Sequence, residues 1–82
     1  MNTQTITDPS EALAIVRASG HAIPRLPAGV KHLTVPIVTA VGQPAIAIVS
    51  KTGLKLIVCR DTPAPANAGE QLSRAALRLL AT

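Results

Sequence analysis

Hydrophobic and polar positions between residues 32 and 60 follow the pattern of three consecutive β-strands. Aliphatic and β-branched residues fill three short runs, and two polar steps that contain glycine separate them. The steps are Gly42-Gln43 and Lys51-Thr52-Gly53, both typical of hairpin turns. The pattern therefore predicts a three-stranded antiparallel meander. Pro36 falls in its first strand, at the sheet edge, where a missing N–H is tolerated.

The lengths of the two turns predict the register of the meander. A two-residue first turn places Val41 opposite Pro44, and a three-residue second turn places Ser50 opposite Leu54. Side chains alternate across a sheet, so this register assigns every residue to one of two faces. The predicted core face contains Leu33, Val35, Ile37, Val41, Ile46, Ile48, Leu54, Leu56 and Val58.

The reverse face of the predicted sheet is more apolar than an antiparallel face in contact with water should be. It contains Val38, Ala45, Ala47, Val49 and Ile57. Small side chains in the middle strand allow another backbone or sheet to approach closely. We therefore expect another surface to cover part of this face.

Helix signals lie on both sides of the meander. Asp8 is a good N-cap, Pro9 suits the first helical position and Gly20 is a typical C-terminal stop, so a helix is predicted over residues 9–19. Asn67 is the predicted cap of a second, amphipathic helix over residues 68–80.

Two segments lack these signals. Residues 21–31 hold two prolines and a glycine, which predicts an extended connector whose apolar residues pack against the edge of the fold. Residues 1–7 are polar without helical period, and we expect a flexible arm or a short edge strand there.

Together these elements predict one α+β domain over residues 1–82. It is a small two-layer domain of order α-β-β-β-α, with a three-stranded antiparallel meander covered by two helices on one side. This order resembles that of double-stranded RNA-binding domains. Those domains carry a cluster of lysines at the start of the last helix, where this chain reads Asn67-Ala68-Gly69-Glu70-Gln71.

Composition changes this picture in one respect. Hydrophobic residues make up 48% of the 82 positions, yet the chain has no Phe, Tyr or Trp. A chain of this length buries only roughly 60–65% of its unfolded surface, and here no large aromatic side chains add to the core. We therefore expect the chain to gain burial by associating with another copy.

The single cysteine, Cys59, excludes an intrachain disulfide and a zinc-binding cysteine set. The N-terminal residues lack a signal-peptide pattern, and the apolar runs are far shorter than a membrane span. The sequence thus predicts a cytoplasmic protein without cofactor, metal or membrane contact. The alanine-rich, lysine-poor composition suggests a GC-rich bacterial or mobile-element source, as for small accessory proteins.

Catalytic groups are sparse. The only candidate nucleophile is Cys59, with His21 or His32 as its base. A cysteine in a strand is far more often a small buried hydrophobic residue. The two histidines have no metal-ligand spacing, and the carboxylates are accounted for by helix caps, a helix surface and a turn. We expect a protein that is not an enzyme.

The net charge of +4 is appreciable for a short chain, but its basic residues are scattered. The candidate contacts to nucleic-acid phosphates are Arg25, Lys31, Lys51 and Lys55. Aromatic platforms for stacking single-stranded bases are missing from the chain.

Two hypotheses of function follow. The leading one is a non-enzymatic protein-interaction module that acts as a homodimer and binds or modulates a larger, unidentified partner protein. Its predicted interface is the reverse face, with Val38, Ala45, Ala47, Val49 and Ile57. The alternative is a nucleic-acid-binding regulator that contacts phosphates through the β-turn and the connector.

Overall fold

A four-stranded antiparallel sheet lies between two helices in the computed structural model, which describes residues 2–81. The elements in chain order are β1 Thr3–Ile6, α1 Pro9–Ala18, β2 His32–Val38, β3 Pro44–Ser50, β4 Gly53–Cys59 and α2 Ala68–Ala81. The strands are arranged β1-β4-β3-β2 across the sheet. The predicted α+β class is confirmed, but the sheet has four strands, so the order is β-α-β-β-β-α and the resemblance in element order no longer holds.

The additional strand, β1, takes the place of the arm expected at residues 1–7. It pairs with β4, with Thr3 opposite Cys59 and Ile6 opposite Leu56, and the backbone N–H of Arg60 donates to the carbonyl oxygen of Asn2 at 2.8 Å. This matches the second alternative, a short edge strand. Without β1, β4 would present an unpaired edge, which small sheets commonly cover. Met1 and Thr82 lie outside the described residues.

The first hairpin turn is longer than predicted. Val38 lies opposite Pro44, because Ala40, Val41 and Gly42 form a three-residue loop closed by a 2.9 Å bond from the N–H of Thr39 to the carbonyl oxygen of Gln43. Gly42 has a φ of 81°, which is the left-handed position of a loop that ends in a bulge. Val41 thus leaves the predicted core face and is 78% exposed at the loop tip.

The second hairpin turn is shorter than predicted. Ser50 lies opposite Gly53, so only Lys51 and Thr52 form the turn. The hydroxyl of Ser50 donates to the carbonyl oxygen of Gly53 at 3.2 Å, which ties the two strand ends together. Because a one-residue slip moves each side chain to the other face, this difference redistributes the predicted core.

The two helices pack on opposite faces of the sheet, which corrects the predicted two-layer arrangement. On the α1 side, Ala12 and Val16 pack against the following sheet residues: Ile6, Ile37, Ala45, Ala47, Val49, Leu54, Leu56 and Val58. On the α2 side, Leu72 and Ala76 pack against Ile46, Ile48, Ile57 and Cys59. The fold is therefore three-layered, and the central strands β3 and β4 are buried on both faces.

Helix boundaries agree closely with the sequence signals. The side chain of Asp8 accepts a hydrogen bond from the N–H of Ser10 at 3.0 Å, and Pro9 is the first residue of α1. Residues 21–31 form the predicted irregular connector, with Ile23 packed against the core on the α1 side. Within residues 2–81, neither α1 nor α2 combines the length and the apolar composition of a membrane-spanning helix.

Candidate functional site

The predicted interface residues fall into two groups. Ala45, Ala47 and Val49 are buried on the α1 side, and Ile57 is buried on the α2 side. Val38 is 56% exposed. The chain itself covers four of the five residues, so only Val38 is available to a partner in this conformation.

Val38 belongs to an uncovered part of the sheet on the α2 side. The register places Thr34 opposite Ile48 and Pro36 opposite Ile46, so their side chains share a face with α2. Thr34, Pro36 and Val38 are nevertheless exposed. Helix α2 packs mainly on β3 and β4 and touches β2 at only a few positions, so these side chains of β2 stay exposed.

Leu77 of α2 extends this apolar surface. It is 65% exposed and lies about 100–120° around the helix from Arg78 and Gln71, which border Thr3 of β1. Leu77 and the partly buried Leu80 are therefore on the side of α2 away from β1, with Leu77 turned mostly toward solvent. We call Thr34, Pro36, Val38, Leu77 and Leu80 the open strip; none of its residues is charged.

The free edge of β2 is unsuited to strand addition. The N–H of Thr39 donates to the carbonyl oxygen of Gln43, which directly precedes β3. Backbone groups alternate in direction along a strand, so those of Ile37 and Val35 also point toward β3. Thr34, Pro36 and Val38 then direct their backbone groups outward, and Pro36 has no N–H to offer. A continuous ladder with another chain is interrupted at the middle of this edge.

The predicted phosphate contacts are only partly grouped. Lys31 precedes β2 and Lys51 lies in the β3–β4 turn, and the pairing of His32 with Ser50 brings both lysines to the same end of the sheet. Lys55, opposite Ile48, is half-buried on the α2 side. Arg25 is exposed in the connector.

Cys59 and the two histidines lie apart. Cys59 is 0% exposed beneath α2. His21 borders Val16 and Ala47 on the α1 side, so the sheet separates it from the thiol. His32 is at the opposite end of the sheet, opposite Ser50. The structure therefore brings neither histidine to the cysteine.

Sequence reasoning missed two residues that the structure makes prominent, Leu77 and Arg60. Leu77 lies outside the apolar stripe of α2. A leucine between Arg74 and Arg78 on the polar side of the helix was the sequence feature that could have indicated an exposed apolar residue. Arg60 directly follows β4, and only knowledge of β1 and of the first turn shows which side chains surround it.

Comparisons with known proteins provide no family to which this geometry can be related. No model of a protein family matches the chain, and no curated protein or solved structure matches it significantly.

Proposed function

We propose that the chain is a small protein-interaction module that pairs with a second copy of itself through the open strip. The observation that carries this proposal is the joint exposure of Val38 and Leu77, 56% and 65%, on the same side of the sheet. Large apolar side chains that share a surface favour contact with another protein.

A second copy suits the shape of the strip. In the proposed contact, the exposed Leu77 acts as a ridge on α2 and the exposed residues Thr34, Pro36 and Val38 of β2 act as an apolar floor. In a two-fold dimer the ridge of each copy packs on the floor of the other, so one surface supplies both halves of the contact. The strip is uncharged, which limits the desolvation cost despite a net charge of +4 on each copy.

Face-to-face packing is favoured over edge pairing. Pro36 interrupts the hydrogen-bonding edge of β2, so the strip can bury apolar area without extending the sheet. The resulting dimer would have a finite size and would leave the α1 side free. Binding to a larger partner protein would then use either the dimer surface or the same strip in place of the second copy.

Replacing Leu77 with glutamate is expected to weaken dimerisation by about 10- to 100-fold, because a carboxylate would be buried against the partner's apolar floor. Sedimentation velocity over a concentration series measures the change. Val41→Glu is the matched control: it introduces the same charge at a residue that is 78% exposed in the β2–β3 loop, outside the strip.

The wild-type chain and Val41→Glu are expected to dimerise alike. A wild-type chain that stays monomeric at high micromolar concentration contradicts the proposal. Equal weakening by both substitutions would locate the contact elsewhere.

The nucleic-acid alternative has one supporting observation, the placement of Lys31 and Lys51 at the same end of the sheet. Such a site predicts binding to duplex DNA or RNA that weakens as salt is added, because phosphate contacts release counterions. Fluorescence anisotropy with mixed-sequence duplexes measures this, with the double variant Lys31→Gln, Lys51→Gln expected to show a shallower salt dependence. No anisotropy change at low salt rejects this alternative.

A further inference from the structure

A pocket of about 190 Å³ opens on the α1 side of the sheet, at the end where β4 leaves it. Ile15 and Ala18 of α1 form one wall, Val58 of β4 forms the floor, and residues 39–41 of the first turn form the rim. These surfaces are mostly apolar. The volume is below the roughly 300–1,000 Å³ of pockets for drug-sized ligands, so the pocket suits a shorter molecule.

Arg60 also lines this pocket, and its guanidinium is held in place from two directions. Its Nε and Nη2 donate to Oε1 of Gln4 at 2.9 and 2.6 Å, and its Nη1 donates to Oε1 of Gln43 at 2.8 Å. Gln4 belongs to β1 and Gln43 directly precedes β3. Side chains at two separate points of the sheet therefore orient this exposed guanidinium at the rim of the pocket.

Both partners of Arg60 are neutral amides, so they leave its positive charge uncompensated. Among residues 2–81, the only ion pair joins Arg74 and Glu70 on α2, so no carboxylate pairs with Arg60. The neighbouring carboxylate of Asp61 instead accepts hydrogen bonds from the N–H of Asn2, at 3.3 and 3.2 Å. A guanidinium has five N–H donors, so one donor on each Nη remains for a ligand.

Thr39 supplies a further donor in the same lining. Its side chain is largely buried, and its Oγ1 accepts a hydrogen bond from the N–H of Gln43 at 3.1 Å. The hydroxyl proton is left to donate to a ligand. The pocket thus combines a fixed cation, a hydroxyl donor and apolar walls.

The C-terminal end of α1 borders this pocket, and a helix C-terminus ordinarily disfavours anions. Here the carbonyl oxygen of Ile15 accepts from both the N–H and the hydroxyl of Ser19, at 3.1 and 2.7 Å. The carbonyl oxygen of Val16 accepts from the N–H groups of Ser19 and His21. These bonds lessen the negative potential that the helix end presents to an anionic ligand.

We propose that this pocket binds a short aliphatic carboxylate, with its carboxylate at Arg60 and Thr39 and its hydrocarbon chain between Ile15, Ala18 and Val58. A guanidinium binds a carboxylate through charge-assisted hydrogen bonds, here from the Nη donors that Gln4 and Gln43 leave free. The apolar walls favour a hydrocarbon chain over a bare anion. The same group occurs on a free fatty acid and at the C-terminus of a peptide that ends in valine, and either source fits this chemistry.

NMR titration with valerate tests the proposal, with valeramide and inorganic phosphate as comparison ligands. We expect saturable shifts of the Ile15 and Val58 methyl signals with valerate, and at least about tenfold weaker binding of valeramide and phosphate. The tripeptide acetyl-Gly-Ala-Val and its C-terminal amide distinguish the two sources: tighter binding of the peptide acid than of valerate identifies a peptide C-terminus, and the reverse identifies a free acid.

Arg60→Gln is expected to weaken valerate binding at least about tenfold, whereas Arg25→Gln, which removes the same charge from the exposed connector, leaves it unchanged. Ala18→Leu fills the pocket from an exposed helix position and is expected to weaken valerate binding without disturbing the fold. Absence of saturable shifts with valerate in the folded wild-type chain overturns the proposal. Equal effects of Arg60→Gln and Arg25→Gln also overturn it, because they indicate non-specific charge attraction.

Discussion

Leu56→Ala is expected to lower the free energy of unfolding by about 3 kcal/mol, within the range measured for leucine truncations in protein cores. Leu56 is 0% exposed, and it lies between Ile6 of β1 and Ala47 of β3 on the α1 side. The substitution removes buried methyl groups and leaves a cavity that strands paired on both sides cannot easily close. Urea unfolding followed by circular dichroism measures the loss.

Leu77→Ala is the matched control for this prediction, since it makes the same chemical change at a 65% exposed residue. Measured at a concentration where the chain is monomeric, it is expected to change the free energy of unfolding by less than about 0.5 kcal/mol. Similar losses for the two variants would show that Leu56 is not packed between β1 and β3 as the structure has it.

The thiol of Cys59 is expected to react with a neutral thiol reagent at least about 1,000-fold more slowly in the folded chain than in the urea-unfolded chain. Cys59 is 0% exposed beneath Leu72 and Ala76 of α2, so labelling requires α2 to leave the sheet or the domain to unfold. A stability of about 5 kcal/mol or more makes such openings rare. Labelling followed by mass spectrometry gives both rates.

A control chain with Cys59→Ala and Ser73→Cys places the only thiol on the exposed surface of α2. Its labelling rate is expected to change little on unfolding. Leu56→Ala, by contrast, is expected to accelerate labelling of Cys59 by roughly 100-fold if global unfolding is the route, because it lowers the unfolding free energy. Rapid labelling of Cys59 in the folded wild-type chain would contradict its burial under α2.

The sequence predicted the meander because its strands are rich in β-branched residues and separated by glycine-containing turns. It also indicated that the second face of the sheet is too apolar to contact water, but the cover was attributed to another chain. In the structure, α1 covers Ala45, Ala47 and Val49, while α2 covers Ile57. Strands buried on both faces read as continuous apolar runs, which carry no information about which helix lies on which side.

The register was wrong because turn length is ambiguous in this sequence. Gly42 serves equally well as the first residue of a two-residue turn or as the last of a three-residue loop, and the second turn poses the same choice around Gly53. Each alternative pairs several aliphatic residues with aliphatic residues, so the pairing pattern does not distinguish them. At the second turn the tertiary structure favours glycine at residue 53: Pro9 at the start of α1 lies so close that a Cβ there would be 3.2 Å from the proline Cγ.

The candidate sites depend on contacts between distant positions, which explains why sequence reasoning found so little of them. The open strip requires knowing that α2 leaves β2 uncovered. The fixed orientation of Arg60 requires Gln4, 56 positions away, and Gln43, 17 positions away. No local pattern relates these residues, and β1 itself offers only Ile6 as an apolar signal in a polar segment.

The pairing of β1 with β4 has a consequence for the order in which the protein folds. Strands β2, β3 and β4 are connected by short turns, so their contacts close small loops at low entropic cost. Strand β1 can pair with β4 only after residues 53–59 have been made, and the entropic cost of closing that large loop is offset only when the meander is already formed. We expect the meander to nucleate first and the N-terminal strand to dock last, which leaves the outer edge of β4 transiently available to other chains during synthesis.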